Sequence, residues 1–356
     1  MELLNEAKKK HLSNIIPYIH SYIENGEEPT FSSMYHLIEE IYPENIKEQK
    51  LRMIDFISTS NLPENKRMGM EYYIMQGETE LLESLIREEQ HSTNPLNREW
   101  ANIYEVLVRR NKGQLQGDRL NQVVLSMNST SKETHLLLCI LHMFGVYQIG
   151  EYEALFKVSK AILPEVQQIE DPYIRTSYEL HLLELYCFSH LLLNQLDECR
   201  YTAKTVISRI KPYQFPLSAS NAYHVLAQSY SFESFEDSMY FLNLGYEITS
   251  FLPENKAINK RKEFDKTREF LRSLWKRELE STPIDLVERA HRFIVRGEKE
   301  KGISILEEIK QKQGNNFTAF QWYYYGLATG NEEHFQRAKQ IFNARKNKFF
   351  VNILEK

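Results

Sequence analysis

From about residue 130 onward, apolar residues recur at three- and four-residue steps, in runs that a Gly or Asn interrupts and an acidic opening restarts. After Gly150, the residues Tyr152, Leu155, Phe156, Ile162 and Leu163 fall on one side of a 3.6-residue period. That spacing predicts a helix with one buried stripe and one solvated face. The same sentence returns as LLLNQLDECRYTAKTVI around Asn194, YSFESFEDSMYFLNLGY near Ser234, IVRGEKEKGISILEEI around Gly297 and LATGNEEHFQRAKQIF around Gly330. Gly or Asn tolerates the left-handed conformation that ends a helix, and acidic residues just beyond it suit the positive end of the next one. Each copy therefore reads as a helical hairpin. Gly297 and Gly330 are 33 residues apart, matching the ~34-residue helix-turn-helix repeat, while the other spacings are longer. The expected fold is all-α: a right-handed superhelix of degenerate TPR-like helical hairpins.

Ahead of the repeats, NGEEP, YPEN and NLPENK divide the chain into short helices expected near 3–24, 30–42 and 45–58. Residues 67–130 read as further helices with a blurred repeat pattern, ending in the turn SMNSTSKET. No long flexible linker intervenes. The expected organisation is an N-terminal helical segment over 1–66, a reduced or atypical helix-turn-helix, followed by a TPR-like superhelical effector-binding domain over 67–356.

Composition narrows the function more than the fold. Of 356 residues, 42% are hydrophobic and 26% charged, which is globular usage. With 13 glycines and 11 prolines the chain is poor in both, against turn-dense β folds and glycine-rich phosphate loops. The net charge of −5 gives no chain-wide attraction for nucleic acid or anionic membrane. Three cysteines without a CxxC pair suit a reducing compartment, and no run is long and apolar enough to span a bilayer, so a cytoplasmic location is expected. The eleven histidines form no HExxH and no i, i+4 pair; His135 and His142 share a face, but nothing completes four metal ligands. GxSxG, Walker A and GxGxxG are absent. Neither enzymatic activity nor a cofactor is expected. A solenoid of hairpins offers an inner surface for a peptide or a partner helix.

Several ordered blocks carry a resemblance: FSSMYHLIEEIYPENIKEQ, RTSYELHLLELYCFSHLLLNQLDECR, FLRSLWKRE with DLVERAHRFI, then WYYYGLATGN with NKFFVNILE. In order and spacing, over roughly residues 26–354, they resemble the arbitrium peptide receptor (AimR) family of Bacillus phages. The resemblance implies a TPR-like superhelix binding a short signalling peptide, an N-terminal helix-turn-helix on operator DNA that steers lysis against lysogeny, and a homodimer. The acidic position that takes the peptide's arginine falls on Glu288 and is kept. Two amide positions on one helix fall on Phe188 and Leu192, another on Gln228, a basic position on Leu217 and an acidic one near the C-terminus on Asn347. These changes would leave polar groups of the family's usual hexapeptide unpaired, at about 1–3 kcal/mol each. They imply a different, more apolar peptide or a groove that serves a protein. The structural alternatives are core packing for Phe188 and Leu192, and a capping or surface carboxylate near Asp285 for Glu288.

Residues 1–70 hold eight Lys/Arg against eleven Asp/Glu, so DNA contact rests on two local clusters: Lys8, Lys9 and Lys10, then Lys47, Lys50 and Arg52. Solvated helix faces are the competing account of both. A protein-interaction scaffold without DNA binding is the alternative function.

Overall fold

The computed structural model describes residues 28–211, 214–314 and 316–355, and among them every regular element is helical. Two compact bodies are present: Met1–Leu182 with Lys211–Ser218 and Phe251–Pro253, and Leu183–Ile210 with Ala219–Ser250 and Glu254–Lys356.

The first body holds α1 (Phe31–Ile41), α2 (Ile46–Thr59), α3 (Pro63–Gln76), α4 (Thr79–Glu89), α5 (Pro95–Asn111), α6 (Gly117–Leu125), α7 (Lys132–Gln148), α8 (Tyr152–Val166) and the start of α9 (Pro172–Leu192). Helices α1 and α2 occupy the stretches expected at 30–42 and 45–58; the one expected at 3–24 lies outside the described residues. Each opens on a polar cap: Thr30 Oγ1 accepts from Ser33 N at 3.4 Å, and Asn45 Oδ1 from Glu48 N at 3.2 Å. The blurred stretch 67–130 is less irregular than its sequence suggests. Helices α3 and α4 form a hairpin whose turn, Gly77 at φ +74° followed by Glu78, repeats the Gly-then-acid sentence of the later copies. The expected 66/67 boundary falls inside α3.

Helix α3 is buried nearly all round, and Glu71 at its centre is wholly enclosed. Tyr104 Oη of α5 and Ser177 Oγ of α9 donate to its carboxylate, and His181 Nε2 lies 3.1 Å from Oε1. Burial raises the pKa of Glu71, but the His181 charge and the three hydrogen bonds outweigh it and hold the group below the ordinary carboxylate value. One ionised side chain thus fastens three helices.

The second body holds the rest of α9, then α10 (Leu196–Arg209), most of α11 (Pro216–Ser229), α12 (Phe235–Ile248), α13 (Glu254–Leu274), α14 (Leu286–Val295), α15 (Lys299–Lys312), α16 (Ala319–Thr329), α17 (Glu332–Ala344) and α18 (Lys348–Val351), closed by a 3-10 turn over Asn352–Glu355. The turns expected at Asn194, Gly297 and Gly330 are all left-handed, with φ of 62°, 89° and 69°. At Ser234 the device differs: its hydroxyl caps α12 by accepting from Asp237 N at 3.1 Å. Hairpin α14/α15 crosses closely because Gly302 lacks a side chain; a Cβ there would sit 2.4 Å from Ile294 Cγ1 and 2.9 Å from the Ala290 carbonyl oxygen.

Candidate functional site

Within the second body, α14 carries the most enclosed carboxylate. Asp285 caps the helix, its Oδ1 accepting from Val287 N and Glu288 N at 3.0 Å each, and so fixes where the first turn begins. Glu288 in that turn is 3% exposed. It is neither the cap nor a surface group, because the helix turns it inward. Tyr324 Oη of α16 donates to Oε1 at 3.1 Å, and His291 Nδ1, three residues along the same helix face, lies 3.4 Å from Oε2. The His291 ring stacks on Tyr324 with centroids 4.0 Å apart and planes 13° from parallel. Phe270 of α13 sits 6.1 Å from His291 and 5.7 Å from Phe320, and Phe320 in turn 6.3 Å from Tyr324. Burial, then the neighbouring Glu288 charge, pushes the Tyr324 phenol well above its ordinary pKa, so it stays a donor.

Glu288 is therefore an acceptor set into an aromatic part of the core. Among the described residues, the ion-pair partner of Glu288 is His291, which carries charge only when protonated. One turn on, the guanidinium of buried Arg292 is committed elsewhere, donating to Glu269 Oε2 at 2.7 Å and Ser273 Oγ at 3.0 Å. A buried carboxylate without a permanent counter-charge is costly, and the arrangement suits an incoming cation with apolar flanks.

The C-terminal segment reaches two earlier hairpins. Asn352 Nδ2 donates to Asn194 Oδ1 at 3.2 Å in the α9–α10 turn, and Phe349 packs on Phe232 in the α11–α12 turn with centroids 5.0 Å apart. Phe188 and Leu192, half-buried on the last turns of α9, and Gln228, half-buried near the end of α11, precede those two turns. Asn347 is half-buried and caps α18, Oδ1 accepting from Phe350 N at 3.1 Å. Leu217 is half-buried in the first body. Tyr324, His291, Phe270 and Phe320 are missing from the residues expected from sequence. The i, i+3 spacing of Glu288 and His291 in DLVERAH was the one signal available for His291.

The basic clusters divide. Lys8, Lys9 and Lys10 lie outside the described residues. Lys47 is exposed on α2, whereas Lys50 Nζ pairs with Glu78 Oε1 and Arg52 Nε with Glu48 Oε1, both at 2.7 Å. Among the described residues no group of three or more His, Cys, Asp or Glu could hold a metal ion, and no helix is long and apolar enough to cross a membrane.

The family model for AimR transcriptional regulator-like proteins matches residues 47–354. The AimR transcriptional regulator of Bacillus phage SPbeta is 24% identical over 343 residues, 91% of this chain and 83% of the relative. That of Bacillus phage phi3T is 20% identical over 337 residues, 92% and 85% of the respective chains. The phAimR-Ligand structure superposes with a TM-score of 0.74 at 20% identity, covering 90% of this chain and 94% of that one. The shared fold is thereby fixed.

Proposed function

Because this chain belongs to the AimR transcriptional regulator-like family, we propose that it is a peptide-responsive regulator of the arbitrium type, controlling the choice between lysis and lysogeny. Its effector is a short peptide with one cationic side chain and apolar flanks. Glu288 receives the cation, Phe188, Leu192 and Gln228 contact the rest, and Asn347 lies at the C-terminal edge. The observation that carries this reading is the buried Glu288 carboxylate, walled by aromatic rings and paired with a histidine rather than a lysine or arginine. Polar positions replaced by Phe188 and Leu192 favour an apolar peptide over an amide-rich one. A relative with the same fold is known in a ligand-bound form. Peptide and DNA binding are linked as two sites biasing one equilibrium, typically by ~1–3 kcal/mol.

Calorimetry with synthetic hexapeptides bearing one arginine at each position tests the ligand. A binder is expected whose affinity falls at least tenfold in Glu288→Ala, and more than tenfold when its arginine becomes citrulline; equal affinities sink the role of Glu288. A scaffold that touches a protein and not DNA is the second reading, favoured by the internal pairing of Lys50 and Arg52. Gel shifts against DNA flanking the chain's own gene separate the two. The regulator gives a sequence-preferring shift that weakens with salt, and no shift at low salt leaves the scaffold.

A further inference from the structure

We propose that a small cavity in the first body, between α1, α2 and α3, is a binding site for an ammonium group. It shares no residue with the Glu288 site and stands independently of the peptide reading. The cavity measures about 20 Å³ and is partly open to solvent. Its polar lining comes from Glu39 of α1, Gln49 and Lys50 of α2, Tyr72 and Gln76 of α3, and Gln214 just ahead of α11. That volume suits one group the size of a water molecule or an ammonium ion.

The lining is short of donors. Gln49 Nε2 donates to the Tyr42 carbonyl oxygen and Gln76 Nε2 to that of Gln214, both at 2.6 Å. Those bonds fix which end of each amide is nitrogen. They leave Gln49 Oε1 and Gln76 Oε1 as acceptors that receive no hydrogen bond among the described residues. Tyr72 Oη makes none there either. Gln49, Gln76 and Tyr72 are 9%, 4% and 3% exposed, so whatever satisfies these oxygens must enter the cavity. Burial, then the Glu78 charge, raises the pKa of the Tyr72 phenol, which stays neutral. Glu39 Oε1 accepts from Gln214 Nε2, a neutral donor, and no cation pairs with Glu39 among the described residues.

Charge selects among groups of that size. Lys50 Nζ is committed to Glu78 Oε1 at 2.7 Å, with the Phe251 carbonyl oxygen at 3.5 Å, so the Glu39 carboxylate keeps an uncompensated charge. Tyr35 and Tyr72, with ring centroids 6.3 Å apart, give the lining an aromatic side, which a cation favours and an anion does not. An ammonium group meets all three conditions. It fits the volume, carries the charge that Glu39 lacks, and sends hydrogen-bond donors in several directions at once. Water brings two donors and no charge. With Glu39 on α1, Gln49 on α2 and Gln76 on α3 as acceptors, one bound ammonium would give these three helices a common contact.

The test titrates the full chain with ammonium and methylammonium chloride, against sodium, potassium and tetramethylammonium chloride at matched ionic strength, following thermal unfolding. Ammonium and methylammonium should raise the melting temperature along a saturating curve, and the three control salts should not. Hydrogen exchange of the unmodified chain with methylammonium should slow in α1, α2 and α3 and stay unchanged in α14, a readout that holds even where a variant folds poorly. In Glu39→Gln the apparent affinity for methylammonium should fall about tenfold, and in the milder Tyr72→Phe about threefold. Lys47→Ala, on the exposed face of α2, should respond as the unmodified chain does. A parallel titration with Nα-acetyl-lysine amide identifies the source. Stabilisation by it means that the group arrives on a side chain, and stabilisation by the small ions alone means a free ion. Equal stabilisation by sodium or potassium overturns the ammonium assignment, and exchange that slows only outside α1 to α3 overturns the location. No saturable response to either amine means that the cavity takes water only, which overturns the proposal as well.

Discussion

Two buried side chains set opposite demands on charge. Glu71 is ionised where no water reaches, and its three donors make that possible. Replacing it by alanine leaves Tyr104, Ser177 and His181 facing a void, and chemical denaturation of Glu71→Ala is expected to show about 3–5 kcal/mol of lost stability. His224 is the reverse case. Its ring packs tilted against Phe264 with centroids 4.8 Å apart, and its Nε2 hydrogen-bonds to Thr267 Oγ1 at 2.8 Å. Burial, then the nearby Lys260 charge, pushes its pKa down to about 3. Since the folded pKa lies below the unfolded one near 6.5, the unfolded chain takes up a proton that the folded chain refuses as pH falls between those values. Stability is therefore complete above about pH 6.5 and declines below it, by about 2 kcal/mol at pH 5 from this residue. Urea unfolding at pH 7 and pH 5 checks the sign: the pH-dependent loss should shrink by about that amount in His224→Gln, and an identical loss in both proteins would remove His224 as its cause.

At the level of elements, hairpins are written in two layers of sequence. Turns are local: Gly77, Gly150, Gly297, Gly330 and Asn194 adopt positive φ, and each is followed by the acidic residues that suit the next helix start. Crossings are not local. Gly302 is the fourth residue of α15, where helix propensity would prefer alanine by up to about 1 kcal/mol, yet the neighbouring α14 leaves no room for a methyl group. Gly302→Ala is accordingly expected to destabilise the chain by about 1–3 kcal/mol in thermal or urea unfolding, against the sign propensity alone would give. A neutral or stabilising result would mean that the α14/α15 crossing can relax. The α3/α4 hairpin illustrates legibility and its limit. Its turn residues Gly77 and Glu78 are plain in the sequence, but α3 is buried on nearly every face with polar Asn65, Lys66, Glu71 and Gln76 among its buried residues, so the apolar stripe that usually marks a repeat helix is missing.

For the molecule as a whole, charge constrains any contact with DNA. The net charge is −5, and Lys50 and Arg52 are held in ion pairs. If the four lysines Lys8, Lys9, Lys10 and Lys47 carry the phosphate contacts, the slope of log K against log salt is about −4 per protomer. A slope near −10 in the salt titration would require basic residues elsewhere in the chain. Sequence alone determined that the protein is helical, where its hairpins turn, and through its ordered blocks which family it belongs to, because helix periodicity, turn chemistry and motif order are properties of neighbouring residues. Through the resemblance it also singled out Glu288, as the acidic position that takes a peptide's arginine, with a capping or surface carboxylate as the alternative. That this carboxylate is enclosed by His291, Tyr324, Phe270 and Phe320, and that Asn352 closes back on Asn194, only the tertiary structure decided. Those contacts join residues up to 158 positions apart, and the burial that gives each its energy exists only once the helices have packed.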